Sequence, residues 1–171
     1  GDEEVKKIAE SSRSDIKKIP YSVHAHFQNA AGFYAVTLSR TILLHFFGWH
    51  NMQNLSAARE ACLAAGISED RFYDAIASFS GTSGRLQLIK ENEKGIFFYD
   101  FAHSPSKVKA TVEAVAERFP GRNLVACFEL HTFSSLSRSF LPFYKGSLEK
   151  ATNAIVYFNP RQFDLKKLDP L

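Results

Sequence analysis

The sequence predicts an α/β fold with a mostly parallel, doubly wound sheet, because strands and helices alternate along its second half. Three patterns carry this prediction: a β-hairpin, an amphipathic helix that begins at Pro105, and short apolar runs of strand length around a further helix. These strands and helices are predicted, in chain order, at 86–91, 96–100, 105–118, 123–129, 140–150 and 154–158.

The first half is predicted to hold three strands and two helices, at 21–29, 33–38, 41–47, 51–65 and 69–78. Asn29 to Gly32 has the composition of a hairpin turn, and Ser68 suits the N-cap of the second helix. The segment Ser80-Gly81-Thr82-Ser83-Gly84 is typical of a flexible linker. We therefore expect a domain boundary there, with one part at 1–80 and the other at 81–171.

Composition indicates an ordinary folded chain with a solvated surface. Apolar residues make up 45% of it, and the 21 basic and 18 acidic residues alternate along the predicted helices. Such alternation argues against a phosphate-tracking stripe, so we expect no nucleic-acid partner. No apolar run approaches about 18 residues, and the first residues are acidic. We expect no membrane span, no signal peptide and a cytoplasmic location.

Cys62 and Cys127 lie in apolar surroundings without another Cys or His at ligand spacing. We expect both to be buried, reduced thiols. The one methionine is Met52, and the chain stops shortly after the predicted strand at 154–158. We expect the sequence to be a piece of a longer enzyme.

An acid and an imidazole share the predicted turn between a strand and a helix. Asp100 and His103 follow the run at 96–100, Ser104 is predicted to cap the next helix, and Pro105 suits its first position. Ligands bind at the carboxyl ends of strands in open α/β sheets, and helix N-termini favour anions. The turn is therefore a candidate site. The alternative is that Asp100 bonds neighbouring backbone and His103 is a structural loop histidine.

The helix after this turn is predicted to bury one side, formed by Val108, Val112, Val115 and Phe119. The predicted strand at 123–129 ends at Glu129, and His131 follows it. Because these residues lie at the same edge of the predicted sheet, we expect His131 to approach the turn at 100–105. Three histidines on predicted strands lack partners at metal spacing and are expected to be structural: His24, His26 and His45.

The helix that follows Gly48 opens on His50-Asn51-Met52-Gln53-Asn54. Asn51 and Asn54 share one face of its first turn, where paired amides can contact a purine edge. The alternative is that Asn51 is only a cap and Asn54 is merely exposed. Arg85 follows the glycine-rich segment and could clamp phosphate, although a lone linker arginine is more often a plain surface residue.

Taken in order, these motifs resemble the Mur ligase family. The resemblance rests on His-Asn-x-x-Asn at 50–54, on Gly81-x-x-x-Arg85 after a helix, and on Asp-Phe-Ala-His-x-Pro at 100–105. Members are ATP-dependent, amide-forming enzymes of peptidoglycan synthesis and recycling. The resemblance runs from about Val5 to Lys150. For the domain organisation of the chain it implies the end of a central ATP-binding domain, followed by an incomplete Rossmann-like C-terminal domain.

The resemblance also implies a mechanism and residue roles. ATP phosphorylates a carboxylate on UDP-N-acetylmuramate, and an amine then attacks the acyl phosphate. Asp100 and His103 are the implied catalytic residues. The implied nucleotide pocket contains His50, Asn51, Asn54, Arg85 and Asp100, and the implied amine side contains His103, Glu129 and His131. Mg²⁺ is implied as cofactor, with its ligands and the phosphate loop upstream of this sequence and no metal ligands within it.

Several positions bear on the branch of the family. Phe101-Ala102 and Phe128-Glu129 resemble the branch that adds L-alanyl-γ-D-glutamyl-meso-diaminopimelate to UDP-N-acetylmuramate. Thr132 and Ser135 stand where the L-alanine-adding branch has two arginines, and Ser104 and Gly84 also depart from the family pattern. The resemblance favours the tripeptide as acceptor, with free L-alanine as the alternative. A non-catalytic α/β binding module remains the alternative from another class, and the oligomeric state stays open.

Overall fold

The computed structural model describes residues 3–161, which form two compact units. The first comprises the described residues up to His45 together with Trp49–Phe79. The second comprises Phe46–Gly48 and the described residues from Ser80 onward. No helix within residues 3–161 is long and apolar enough to cross a membrane.

The first unit combines a three-stranded antiparallel sheet, in the order β1-β2-β3, with three helices. Helix α3 packs against β3 and α2. The elements are α1 (Glu3–Ser11), β1 (His26–Asn29), β2 (Gly32–Val36), β3 (Thr41–Leu44), α2 (Trp49–Ala64) and α3 (Glu69–Ser78). Its buried side chains come from both layers: Phe33, Ala35, Ile42, Leu44, Met52, Leu55, Phe72 and Tyr73.

Two local predictions in this unit are confirmed. The β1–β2 turn is closed by Asn29, whose Oδ1 accepts hydrogen bonds from the N–H groups of Ala31 (2.9 Å) and Gly32 (3.1 Å). Helix α3 spans the predicted residues, and Ser68 Oγ accepts a hydrogen bond from Arg71 N–H at 3.4 Å. Both signals succeed because they depend on contacts within four residues.

Two predicted strands are too long. The strand at 21–29 begins only at His26, because the N–H of His24 donates to the carbonyl of Met52 in α2 at 3.2 Å rather than to a strand. The strand at 41–47 ends at Leu44, and residues 46–48 belong to the second unit. Helix α2 begins at Trp49, two residues before the predicted start.

A histidine–tyrosine pair ties the segment before β1 to α3. His24 Nδ1–H donates to the carbonyl of Ala25 at 2.8 Å, so the neutral ring presents Nε2 as an acceptor for Tyr73 O–H at 2.6 Å. Tyr73 is 4% exposed, and its burial raises the pKa of its hydroxyl. The prediction that His24 is structural is confirmed.

Replacing Tyr73 with phenylalanine should lower the free energy of unfolding of the first unit by about 1–2 kcal/mol, because His24 Nε2 loses its donor. Tyr21→Phe is the control, at a residue that is 51% exposed, and should change it by less than about 0.5 kcal/mol. Urea unfolding of the three proteins measures both values. Equal unfolding curves for Tyr73→Phe and the unsubstituted chain would contradict the role of this hydrogen bond.

Among its described residues the second unit contains one antiparallel hairpin and one parallel strand pair, which confirms the α/β class. Since only one of these pairs is parallel, the expected mostly parallel, doubly wound sheet is not seen among these residues. In the parallel pair Val125 lies opposite Asn153 and Leu130 opposite Phe158. The elements are β4 (Gln87–Asn92), β5 (Gly95–Tyr99), α4 (Pro105–Arg118), β6 (Val125–Leu130), the 3-10 helices Ser134–Leu136 and Leu141–Tyr144, and β7 (Asn153–Phe158).

Helix α4 covers one face of β6. We call their buried cluster the α4–β6 core, and it contains Val108, Val112, Phe128, Leu130 and Leu136. The predicted apolar side of α4 is only partly correct, because Val115 is half-buried and lies outside this cluster, whereas Ala110 and Ala114 are buried. Phe119 instead joins an aromatic group with Phe47 and Phe98, at ring-centroid distances of 6.0 and 5.8 Å.

Two further predictions are wrong, one for this unit and one for the two cysteines. The helix at 140–150 is only the 3-10 helix Leu141–Tyr144, and Gly146 then turns the chain with a φ of 81°. Cys127 is exposed and Cys62 is partly buried, although both were expected to be buried. In β6, Phe128 and Leu130 face the core, so Cys127 points to the opposite face of the strand. The apolar run of this strand did not reveal that other elements cover only one of its two faces.

Candidate functional site

The carboxylate of Asp100 lies just beyond the end of β5 and accepts two backbone hydrogen bonds. Oδ1 accepts from the N–H of Ala102 at 2.7 Å, and Oδ2 accepts from the N–H of Leu86 at 2.8 Å. Leu86 has a φ of 43°, a left-handed conformation that costs a residue with a Cβ roughly 1–2 kcal/mol. Asp100 therefore holds this strained turn against the end of β5, as in the backbone-bonding alternative that the sequence left open.

The glycine-rich segment before Leu86 is bonded to its neighbours, although the sequence predicted a flexible linker. Gly84 is buried with a φ of 72°, its N–H donates to Gln87 Oε1 at 3.0 Å, and its carbonyl accepts from Phe101 N–H at 2.8 Å. Arg85 N–H donates to the carbonyl of Thr82 at 3.2 Å. The Arg85 residue itself is exposed, so a fixed main chain presents a guanidinium to solvent.

Three rings come together where β5 and β6 end. The ring centroids of His103 and His131 are 6.2 Å apart, which confirms the expectation that these imidazoles converge. Phe101 contacts both, at 5.2 Å from His103 and 5.6 Å from His131. Sequence reasoning missed Phe101. Its signal was the alternation of Phe97, Tyr99 and Phe101, which are each about half exposed and share one side of the chain.

Both imidazoles are oriented by the main chain in the same way. His103 Nδ1 lies 3.0 Å from the carbonyl of Phe101, and His131 Nδ1 lies 3.2 Å from the carbonyl of Glu129. Because a carbonyl oxygen only accepts, each Nδ1 carries the donated proton, and the neutral rings have their basic lone pair on Nε2. With this tautomer His103 can accept a proton at Nε2, whereas Nε2 of His131 is buried.

Two predicted contributors act differently from expectation. Ser104 occupies the N-cap of α4 with extended backbone, but its side chain makes no capping hydrogen bond, and Pro105 takes the first helical position as predicted. Glu129 is exposed on the face of β6 opposite Phe128 and Leu130, and its contact with His131 is through its carbonyl. In this structure Glu129 therefore contributes its backbone carbonyl to the site, where it orients the ring of His131.

The loop after β6 is closed by hydroxyl groups. Thr132 N–H donates to Ser135 Oγ at 3.0 Å, and Ser135 N–H donates to Thr132 Oγ1 at 3.1 Å. Ser135 is 1% exposed, and its Oγ–H donates to the carbonyl of Thr132 at 3.0 Å. These two positions shape the loop beside His131 and bring no charge to it.

The predicted purine-binding residues lie in the other unit. His50, Asn51 and Asn54 are in the first turns of α2, which begins at Trp49, so the alternative in which Asn51 caps the helix is wrong. His50 and Asn51 are partly buried and Asn54 is exposed. Within the second unit, the structure brings together Asp100, His103 and His131 with the turn that carries Arg85.

Mg²⁺ is usually bound through one or two carboxylates together with substrate phosphates and water, in octahedral geometry. Among residues 3–161 no group of three or more His, Cys, Asp or Glu side chains could hold a metal ion. We therefore assign none of these side chains to the metal.

The second unit resembles a domain of known proteins. Residues 84–168 match the family model described as Mur ligase, glutamate ligase domain. The UDP-N-acetylmuramate–L-alanine ligase of Desulfitobacterium hafniense is 27% identical over 140 residues, which are 80% of this chain and 31% of that protein. The enzyme of the same name from Cytophaga hutchinsonii is 37% identical over 101 residues, 59% of this chain and 22% of that protein.

A solved structure agrees with the fold. The UDP-N-acetylmuramate-alanine ligase of Thermotoga maritima superposes with a TM-score of 0.65 at 18% identity, over 89% of this chain and 35% of that one. The chain thus has an α/β fold similar to that of this solved structure. The similarity to the Mur ligase, glutamate ligase domain covers 85 of the 171 residues. The chain spans about a third or less of the length of the curated relatives it matches.

Proposed function

We propose that the whole protein is an ATP-dependent ligase that joins an amine to the carboxylate of UDP-N-acetylmuramate through an acyl phosphate. The observation that carries this proposal is the family match over 84–168, which contains Arg85, Asp100 and His103 in the predicted order. The acceptor proposed first is L-alanine, because the relatives from D. hafniense and C. hutchinsonii bear that activity in their names. From the sequence alone, L-alanine was the alternative acceptor.

We propose nucleotide-binding roles for residues of each unit, taken separately. Residues 1–80 would be the end of the central ATP-binding domain and residues 81–171 the C-terminal domain. The exposed guanidinium of Arg85 can pair bidentately with phosphate oxygens, and its main chain is already held by the bonded turn. The carboxamides of Asn51 and Asn54 share a helix face and can bond a purine edge. Asp100 would support the phosphate contact chiefly by holding the turn that carries Arg85.

The imidazole pair would serve the amine. An amino group attacks only as its free base, so a nearby proton acceptor assists the step. His103 Nε2 carries the lone pair of the neutral ring, because Nδ1 donates to the carbonyl of Phe101. His103 would take the proton, with His131 beside it. ATP supplies the phosphoryl group that activates the carboxylate, and phosphate leaves when the amide bond forms.

A second acceptor is favoured by the loop after β6. A free amino acid presents its carboxylate close to the reacting amine, where a cationic side chain would pair with it. In this loop Thr132 directly follows His131 and Ser135 comes three residues later, and their hydroxyls bond the backbone of each other's residue. A peptide carries its carboxylates further from the amine. This observation favours L-alanyl-γ-D-glutamyl-meso-diaminopimelate as the second candidate.

The test is phosphate release by the full-length protein with ATP, Mg²⁺ and UDP-N-acetylmuramate. We expect kcat/KM for L-alanine to exceed that for the tripeptide by about tenfold or more, a difference of about 1.4 kcal/mol in transition-state binding. Reactions without UDP-N-acetylmuramate are the control for unrelated ATP hydrolysis. A preference for the tripeptide would replace the first acceptor by the second. No amine-dependent phosphate release with either acceptor would support the non-catalytic binding module instead.

A further inference from the structure

Two hydroxyl groups from the segment after β6 reach back to the turn that carries His103. Tyr144 O–H donates to the carbonyl of His103, and Ser147 Oγ–H donates to the carbonyl of Pro105 at 3.2 Å. These pairs are 41 and 42 residues apart in the chain. They connect the 3-10 helix Leu141–Tyr144 and the turn after it to the start of α4.

The ring of Tyr144 is partly buried and is held by aromatic neighbours. It packs against Phe128 of β6 with ring centroids 5.1 Å apart, and against Phe140 at 5.9 Å. It also packs against the α4–β6 core. Burial raises the pKa of the Tyr144 hydroxyl, so the group stays a protonated donor at neutral pH. Tyr144 therefore links β6, whose end leads to His131, to the main chain of His103.

We propose that Tyr144 is a positioning residue that holds the His103 imidazole opposite His131, for use on the acceptor amine. The proposal rests on the function proposed above. Its physical basis is that Tyr144 bonds the carbonyl of His103 itself, while the His103 ring is held two residues back, at the carbonyl of Phe101. With both ends of the residue fixed, the ring has little freedom to turn away from His131.

The hydroxyl can be separated from the ring by substitution. A phenylalanine would fill the same space against Phe128 and Phe140, so Tyr144→Phe removes the bond to His103 and little else. Ser147→Ala is a matched control: Ser147 is 4% exposed and also donates to a carbonyl of this turn, but to that of Pro105. Both variants lose one hydrogen bond of similar kind, so their losses in stability should be similar.

The first measurement is NMR of the histidine rings in the 171-residue chain without substrate. The six histidines allow labelled rings to be assigned, and the nuclear Overhauser effect between the His103 and His131 rings reports their approach. In Tyr144→Phe we expect this effect to lose about half its intensity or more, and the His103 ring nitrogens to show averaging over tautomers. In Ser147→Ala both signals should match those of the unsubstituted chain.

The second measurement is steady-state kinetics of the full-length variants. Tyr144→Phe should raise KM for the acceptor amine and lower its kcat/KM by about tenfold, with KM for ATP changed less than about twofold. Ser147→Ala should leave both constants within about twofold. A similar loss of kcat/KM for the amine and for ATP in both variants would indicate a merely structural role and overturn the proposal.

The two measurements separate the proposals. Unchanged His103 and His131 signals in Tyr144→Phe would overturn the positioning role, whatever the enzyme does. The same spectral change in Ser147→Ala would also overturn it, since the effect would then belong to the turn as a whole. Full-length protein without amine-dependent turnover would overturn the proposed function and the part of this inference that concerns the amine, while the NMR result would still decide how His103 is held.

Discussion

Asp100→Ala is expected to release the turn at Leu86. It should also lower the rate of ATP-dependent ligation by the full-length protein by about a hundredfold or more, because a misplacement of site groups by about 1 Å can cost that much in rate. Both carboxylate oxygens accept backbone N–H groups, from Leu86 and from Ala102. Hydrogen bonds to a charged acceptor contribute about 1.5–3 kcal/mol each, and one of them stabilises a left-handed φ that leucine otherwise disfavours. Arg85 would then lose its fixed main chain.

Amide hydrogen exchange measures the structural part of this prediction. In Asp100→Ala the protection of the Leu86 and Ala102 amides should fall by about tenfold or more, as expected for a loss above about 1.4 kcal/mol. Asp100→Asn keeps one accepting oxygen and turns an NH₂ group toward the other donor, so it should give an intermediate loss at one of the two amides. Asp70→Ala, at an exposed acid of α3, is the control.

The outcome also decides between two roles of Asp100. Lost protection together with lost ligation is the result expected of a group that holds the turn. Unchanged protection with lost ligation would indicate direct contact with substrate and contradict the structural role. Ligation that continues unchanged in Asp100→Ala would show that the reaction needs Asp100 in neither role.

Leu136→Ala is expected to lower the free energy of unfolding of the second unit by about 2–5 kcal/mol, the range measured for buried leucines that leave a cavity. Leu136 is 0% exposed and belongs to the α4–β6 core with Val108, Val112, Phe128 and Leu130. It is the last residue of the 3-10 helix Ser134–Leu136, which overlaps the Thr132–Ser135 turn. The substitution should therefore also loosen the loop beside His131.

Urea unfolding of the chain measures the loss, and Leu88→Ala is the control because Leu88 is 52% exposed. The control should change the free energy of unfolding by less than about 1 kcal/mol. A loss below about 1 kcal/mol in Leu136→Ala would mean that the cluster is not close-packed around this residue. The two units can unfold separately, so probes in each unit are followed.

Local features of the site were predictable because their causes lie close together in the chain. The strand-to-helix turn at 100–105 was predicted from an apolar run, a proline and an amphipathic pattern, and α4 begins at Pro105. The convergence of His103 with His131 followed from one rule, that the carboxyl ends of strands share an edge. The order of motifs also indicated the family whose model matches residues 84–168.

The sequence by itself thus determined the α/β class, the helix starts at Ser68 and Pro105, the Asn29 turn and the imidazole pair. The tertiary structure decided which face of each element is covered, and therefore that Cys127 is exposed and that 140–150 is not a helix. It also decided the partners of Asp100 and the bond from Tyr144 to His103. Hydrogen bonds that span 14 to 41 residues depend on how the elements pack, and no periodicity or spacing in the chain encodes that packing.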